Sequence, residues 1–243
     1  MSFWDHLEVL RGTLFRSVVA IVLLAIVFLC IPGPLFKAVL WPTTQDFILY
    51  RALGLDFDMS LINIDISAQF FTHLKVSVLC AVVLAFPYLV YEIWKFILPA
   101  LYDKEKVAVR TAFGMSTGLF YLGVAVGYFV VLPVCLMFFM NYSVSDTVQN
   151  TISLNSYISL FTSMVFLIGL IFEFPTVVLV LSSLGILTRS HLRQYRKYAF
   201  VVILVLAALI TPSDPFSMFV LAVPLYGLYE FSILVCKPDD SDQ

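Results

Sequence analysis

The stretch YEIWKFILPALYDKEKVAVR, Tyr91–Arg110, decides how the chain is read, because it joins two long apolar runs. It sets Tyr91, Trp94, Phe96 and Tyr102 beside Lys95, Asp103, Lys104, Glu105, Lys106 and Arg110. Aromatic rings followed at once by dense mixed charge mark a chain that leaves a bilayer, turns around Pro99 and goes back in. Its carboxylates and rings suit a cationic, partly apolar partner.

Composition points the same way. The 243 residues are 61% hydrophobic and only 12% charged, with a mean hydropathy of +1.00. That is far more apolar surface than one soluble core can hide, so the chain is an integral membrane protein. The net charge of −2 gives no basis for binding nucleic acid. Cys30, Cys80, Cys135 and Cys236 stand singly in or beside apolar runs without C-x-x-C spacing, and read as small buried hydrophobes.

Working outward, the first dozen residues read as an amphipathic helix on the membrane face. Phe3, Trp4, Leu7, Leu10 and Leu14 recur at helical spacing, with Asp5, His6, Glu8 and Arg11 turned to water. Two acids in this region and no small-x-small site before Pro32-Gly33-Pro34 argue against a cleaved signal peptide. Six apolar spans follow, at 14–31, 72–94, 109–132, 160–184, 198–210 and 216–236. The expected fold is an all-α integral membrane protein with six transmembrane helices, the fifth and sixth short, forming a single polytopic domain that ends in a tail over 237–243.

An even number of spans puts both termini on one side. Arg11, Arg16, Lys95, Lys104, Lys106, Arg110, Arg189, Arg193, Arg196, Lys197 and Lys237 fall on that side, against only Lys37, Arg51 and Lys75 on the other. Eleven to three is a strong positive-inside bias, so the termini are expected in the cytoplasm. The outer loop from Pro32 to Ala68 is half apolar and reads as ordered structure over the outer face, with Pro42 as a structural position there and Pro87 as another inside the second span. No internal repeat or linker is found.

The fifth span, Tyr198–Ile210, has 13 residues, about 20 Å of helix against a hydrocarbon core of about 30 Å. Together with the turn Thr211–Pro215 it is expected to thin the membrane or to lie against protein and water. Glu173 lies mid-span in Ile171-Phe172-Glu173-Phe174-Pro175, and a carboxylate at that depth costs several kcal/mol unless neutral, hydrated or paired. Pro175 frees a backbone carbonyl beside it, which predicts a polar cavity. In the third span Gly114-x-x-x-Gly118 and Gly123-x-x-x-Gly127 face opposite sides of one helix, so close packing within the bundle is expected on both. No nucleophile elbow, zinc motif or phosphate loop is present, and His6, His73 and His191 lack ligand spacing. Neither an enzyme nor a metal or cofactor is called for.

Taken together, these stretches resemble one family, the TatC proteins of the twin-arginine translocase. Leu98-Pro99-Ala100-Leu101-Tyr102 with Glu105 is similar to that family's first cytoplasmic loop, and Phe172-Glu173-Phe174-Pro175 to its fourth-helix F-E-x-P. Ile210–Asp214 resembles its short outer turn, Ser67–Thr72 leading to Lys75 its second helix, and His6–Arg11 its N-terminal H-L-x-E-L-R. The resemblance implies a receptor and core component in the cell's inner membrane that recognises signal peptides bearing paired arginines and exports folded precursors on the proton-motive force. It implies signal reading by Glu105 and Phe96, within a surface holding Leu101, Tyr102, Asp103, Glu8 and Arg11. Glu173, Asp214 and Lys75 would be the polar positions of the membrane region, the first two touching small single-span partners of the TatA and TatB type, and the protein would associate with further copies of itself. Where the family motif carries its acid this chain has Val9, and the acid stands one place earlier as Glu8. One residue is about 100° around a helix, so Glu8 and Asp103 are both candidates for a second carboxylate. Two other readings compete: a proton-coupled secondary transporter with Glu173 as proton carrier, and a lipid-packing scaffold.

Overall fold

The computed structural model describes residues 3–97, 106–143, 145, 150–211 and 214–236. Every long apolar run is helical, as it must be where no water satisfies the backbone. The first helix, α1 (Phe3–Leu29), is continuous through the segment expected to lie on the membrane face. No Pro or Gly-Pro pair interrupts it before Pro32, so the amphipathic start and the span fuse into one element.

The loop between the first two membrane segments is ordered. It folds into α2 (Pro32–Leu40), a 3₁₀ turn over Trp41–Thr43, α3 (Ile48–Leu53) and the short strand β1 (Leu61–Ile62). Phe47 and Tyr50 are fully buried, and Tyr50 donates its hydroxyl to the carbonyl of the buried Pro42 at 2.9 Å. Tyr128 and Tyr157, from the third and fourth membrane segments, donate to the carbonyls of Ala38 and Val39, each at 2.6 Å. Strand β1 then pairs in parallel with β2 (Ile152–Ser153), which ties this loop to the chain entering the fourth membrane segment.

The second membrane helix is α4 (Ala68–Ile97), with Pro87 inside it. Pro87 has no N–H for the carbonyl of Val83, four residues back, and the Tyr121 hydroxyl takes that acceptor instead at 3.1 Å. The third segment runs further than its apolar pattern suggests. Helix α5 (Lys106–Val126) passes through a π-helical turn over Gly127–Val131 into α6 (Leu132–Asn141). A wider turn absorbs the missing N–H of Pro133, so the proline does not end the span near residue 132.

The fourth segment is broken into α7 (Leu154–Ile171) and α8 (Phe174–Ser183) at the Phe172-Glu173 turn, which Pro175 enforces. After α9 (Arg189–Gln194) come α10 (Arg196–Ile210) and α11 (Pro215–Val235). With 15 residues, α10 is about 22 Å long. In contrast to the sequence expectation, α11 is not short: its 21 residues give about 31 Å, enough to cross. Among the described residues the membrane segments are thus all helical, and five are long and apolar enough to span, with α10 beside them.

Two further expectations are corrected. A Cβ on Gly123 would come within 2.7 Å of Phe172, and one on Gly127 within 3.3 Å of the backbone of Met164 and Val165, so that face is packed tightly. At Gly114 and Gly118 the same atom would meet nothing within 4 Å; the other face is open because no described helix of the chain lies close against it. Likewise Cys135 and Cys236 are buried, but Cys30 is exposed at the end of α1.

Candidate functional site

One end of α4 brings together a cluster of polar side-chain contacts with α1. Tyr88, Glu92 and Phe96 recur every fourth residue and so share one face, and α1 packs along α4. Glu92 is 3% exposed. The guanidinium of Arg16 on α1 grips its carboxylate with both ends of the fork: Nε donates at 3.2 Å to Oε1 and 3.1 Å to Oε2, and Nη2 donates to Oε2 at 2.7 Å. Tyr88 donates its hydroxyl to Oε1 at 3.1 Å, and Thr13 Oγ1 accepts from Nη2 at 3.4 Å. An exposed ion pair contributes about 0–1 kcal/mol, whereas breaking a buried one costs about 3–5 kcal/mol. With the Arg16 side chain 46% exposed, water screens the pair in part.

Sequence reasoning passes over this pair, although a signal for it is present. Arg16 and Glu92 are each the third residue from the same-side end of their spans, 14–31 and 72–94. Opposite charges at equal depth on consecutive, antiparallel helices are placed to meet.

Arg16 is level with Glu92, so Arg11, five residues on, and Phe96, four residues on, lie about 7.5 and 6 Å beyond the pair and at about the same depth. Glu8 and Arg11 are exposed and Phe96 is half-buried. Leu101, Tyr102, Asp103 and Glu105 lie outside the described residues.

Glu173 sits between α7 and α8, where its amide donates to the carbonyl of Leu170 at 3.1 Å. Its Oε2 accepts from Ser116 Oγ on α5 at 2.7 Å, while Oε1 and the neighbouring Thr176 hydroxyl are buried without a hydrogen-bond partner among the described residues. These three polar groups open into a groove of about 410 Å³ that extends past Phe86 and Leu89 to Trp94. The cavity expected at this depth is present, but its walls are apolar rather than polar, because α4 and α8 turn their Leu, Val and Phe side chains into it. Ser116, beside Thr117 in an otherwise apolar run, gives no sign of its role in the sequence.

The remaining predicted positions stand apart from that end. Lys75, on the second turn of α4, is exposed and donates from Nζ to Ser159 Oγ on α7 at 3.0 Å. Asp214 caps α11: its Oδ1 accepts from the Ser217 amide at 2.6 Å, and Oδ2 is buried without a partner among the described residues. Both belong to the end of the bundle where β1 and β2 pair.

Comparison with known proteins bears on the whole of this arrangement. The family model described as "Sec-independent protein translocase protein (TatC)" matches residues 5–224. The chain belongs to the TatC family. A TatC protein of Blattabacterium sp. subsp. Periplaneta americana is 36% identical over 251 residues, covering 97% of this chain and 94% of that protein. The TatC protein of Desulforapulum autotrophicum is 36% identical over 245 residues, covering 99% and 87%. Among solved structures, a crystal structure of the twin-arginine translocase receptor TatC in the detergent DDM has a TM-score of 0.81 at 31% identity, covering 96% of this chain and 99% of that one. The match to TatC therefore takes in the α1–α4 end, the Glu173 groove and Asp214 alike.

Proposed function

We propose that this multi-pass membrane protein is the receptor and core subunit of a twin-arginine translocase, recognising paired-arginine signal peptides on the cytoplasmic side of the cell membrane. The observation that carries the reading is the shared fold, over 96% of the chain, with a protein described as a twin-arginine translocase receptor. A protein-translocation complex follows from family membership. The finer assignments are physical. A guanidinium seeks a planar carboxylate, and a charge-assisted hydrogen bond to it contributes about 1.5–3 kcal/mol. Glu105, which follows α4 in the sequence, supplies such a carboxylate, and Phe96 supplies an apolar contact for the segment that follows the arginines. Folded precursors are then exported on the proton-motive force by a machine in which this chain acts as scaffold rather than catalyst. Glu173, in its apolar groove, and Asp214 face the small single-span subunits of the TatA and TatB type, and further copies of this chain complete the receptor.

Solute transport by Glu173 is not supported. Its hydrogen-bonding neighbour is a serine, no cation faces it among the described residues, and the relatives are components of a protein translocase. The test of the receptor reading places a photocrosslinker at Phe96 and at Glu105 and adds a precursor with paired arginines, or the same precursor with both changed to lysine. Arginine-dependent crosslinking is expected at both positions, and Glu105→Ala is expected to weaken precursor binding while the chain still inserts. Equal crosslinking of both precursors overturns the assignment of these residues.

A further inference from the structure

We propose that Glu92 is an inner carboxylate of the signal-reading surface, that Arg16 is its resident occupant, and that an arginine of the bound signal displaces Arg16. This rests on the receptor reading above and names a residue pair that the reading does not contain.

Three observations carry it. The carboxylate is already built for a guanidinium: both oxygens of Glu92 receive the Arg16 fork, and Tyr88 fixes Oε1 from the side. A lysine ammonium, a single point charge, cannot reproduce that planar contact. The group that covers the carboxylate is the accessible one, since the Glu92 side chain is 4% exposed and that of Arg16 46%. Finally, Glu92 is one helical turn from Phe96 on the same face of α4.

Exchange of one guanidinium for another leaves no buried charge unpaired, so the barrier that protects a buried ion pair from simple rupture does not apply. The released Arg16 has a long stem and can carry its charge to the membrane surface. Gly12 is part of the device. A Cβ there would lie 3.3 Å from Arg16 Nη1, so glycine leaves room for the guanidinium to lie along α1. Displacement also removes the bidentate tie between α1 and α4, which couples occupancy of the site to the hold on the first helix.

The experiment titrates the purified full chain in lipid nanodiscs with a fluorescent signal peptide carrying paired arginines, and with its paired-lysine counterpart. Arg16→Gln, which removes the competitor, is expected to tighten arginine-peptide binding by about tenfold, the scale of one charge-assisted contact. Arg16→Lys is expected to tighten it by a smaller factor while keeping the ion pair and therefore the fold. Glu92→Gln is expected to weaken arginine-peptide binding and to reduce the preference over lysine. The exchanged pair Arg16→Glu with Glu92→Arg restores the helix contact but is expected to remain deficient. If the exchanged pair binds as the native chain does, or if Arg16→Lys leaves affinity unchanged or lowers it, the pair is only a structural tie and the proposal fails. If the native chain binds neither peptide, the receptor reading itself fails; native binding that ignores Glu92→Gln removes only the inner carboxylate.

Discussion

Gly118 and Gly123 sit five residues apart on α5, and a methyl group would meet open space at one and the Phe172 side chain at 2.7 Å at the other. Gly123→Ala must push Phe172 and the Gly169 backbone aside and is expected to destabilise the protein by about 1–3 kcal/mol. Gly118→Ala is expected to be neutral or stabilising by up to about 1 kcal/mol, since alanine is the better helix former. Thermal unfolding in detergent separates the two, and equal effects would mean that α5 does not pack against the α7–α8 turn as described. The residue scale also shows where sequence reading stops. The spacing of each glycine pair is legible, but which pair has a helix against it depends on neighbours distant in sequence. Glu173 is legible as an anomaly because a carboxylate in an apolar run is costly wherever it lies. Its partner Ser116 is not, because a serine in such a run costs little and leaves no mark. Glu92 lies inside the stretch that decides the fold and at the depth of Arg16 on the preceding span; the depth is legible, but that the two side chains face each other is settled by the packing of α1 on α4.

At the scale of elements, four prolines within apolar runs have three outcomes that the sequence does not separate. Pro175 breaks its segment into α7 and α8, Pro133 is absorbed by a π-helical turn, and Pro87 and Pro224 leave α4 and α11 unbroken. For Pro87 the reason is Tyr121, which satisfies the carbonyl of Val83 across the helix boundary. Tyr121→Phe removes that donor and is expected to cost about 0.5–1.5 kcal/mol. In a Pro87→Ala background the backbone N–H is restored and can take the same carbonyl, so the second substitution is expected to cost close to nothing. A double-mutant cycle in unfolding free energy measures the difference; identical costs in both backgrounds would show that the tyrosine does not act through this carbonyl. The shortness of α10 is legible because its bounds, Lys197 and Pro212, are marked in the sequence. What holds it is not: Arg196 reaches Glu230 on α11 at 2.7 Å, tying the short helix to one long enough to cross.

The molecule as a whole has two unlike ends. At one, two strands and three tyrosine hydroxyls clamp the loop segments into a single ordered surface. At the other, α1 and α4 meet through the charged pair Arg16–Glu92. The distribution of lysine and arginine gives these ends opposite sides of the membrane, because basic residues resist translocation. The clamped end carries three of the fourteen and is expected outside. In a chain with its four cysteines replaced, Asp58→Cys on the clamped face and Gln194→Cys in α9 offer one reporter at each end, the second at an exposed position. A membrane-impermeant maleimide added to intact cells is expected to label Asp58→Cys at once and Gln194→Cys only after permeabilisation. The reverse pattern would place the α1–α4 pair outside, away from any signal peptide made in the cytoplasm, and would overturn both the receptor reading and the exchange at Glu92. Labelling of both positions in intact cells would contradict the separation of the two ends, since three membrane segments, α4, α5–α6 and α7–α8, lie between them in the chain. The orientation is thus the premise on which the residue-level assignments depend, and it can be tested without a substrate, a partner subunit or an energised membrane.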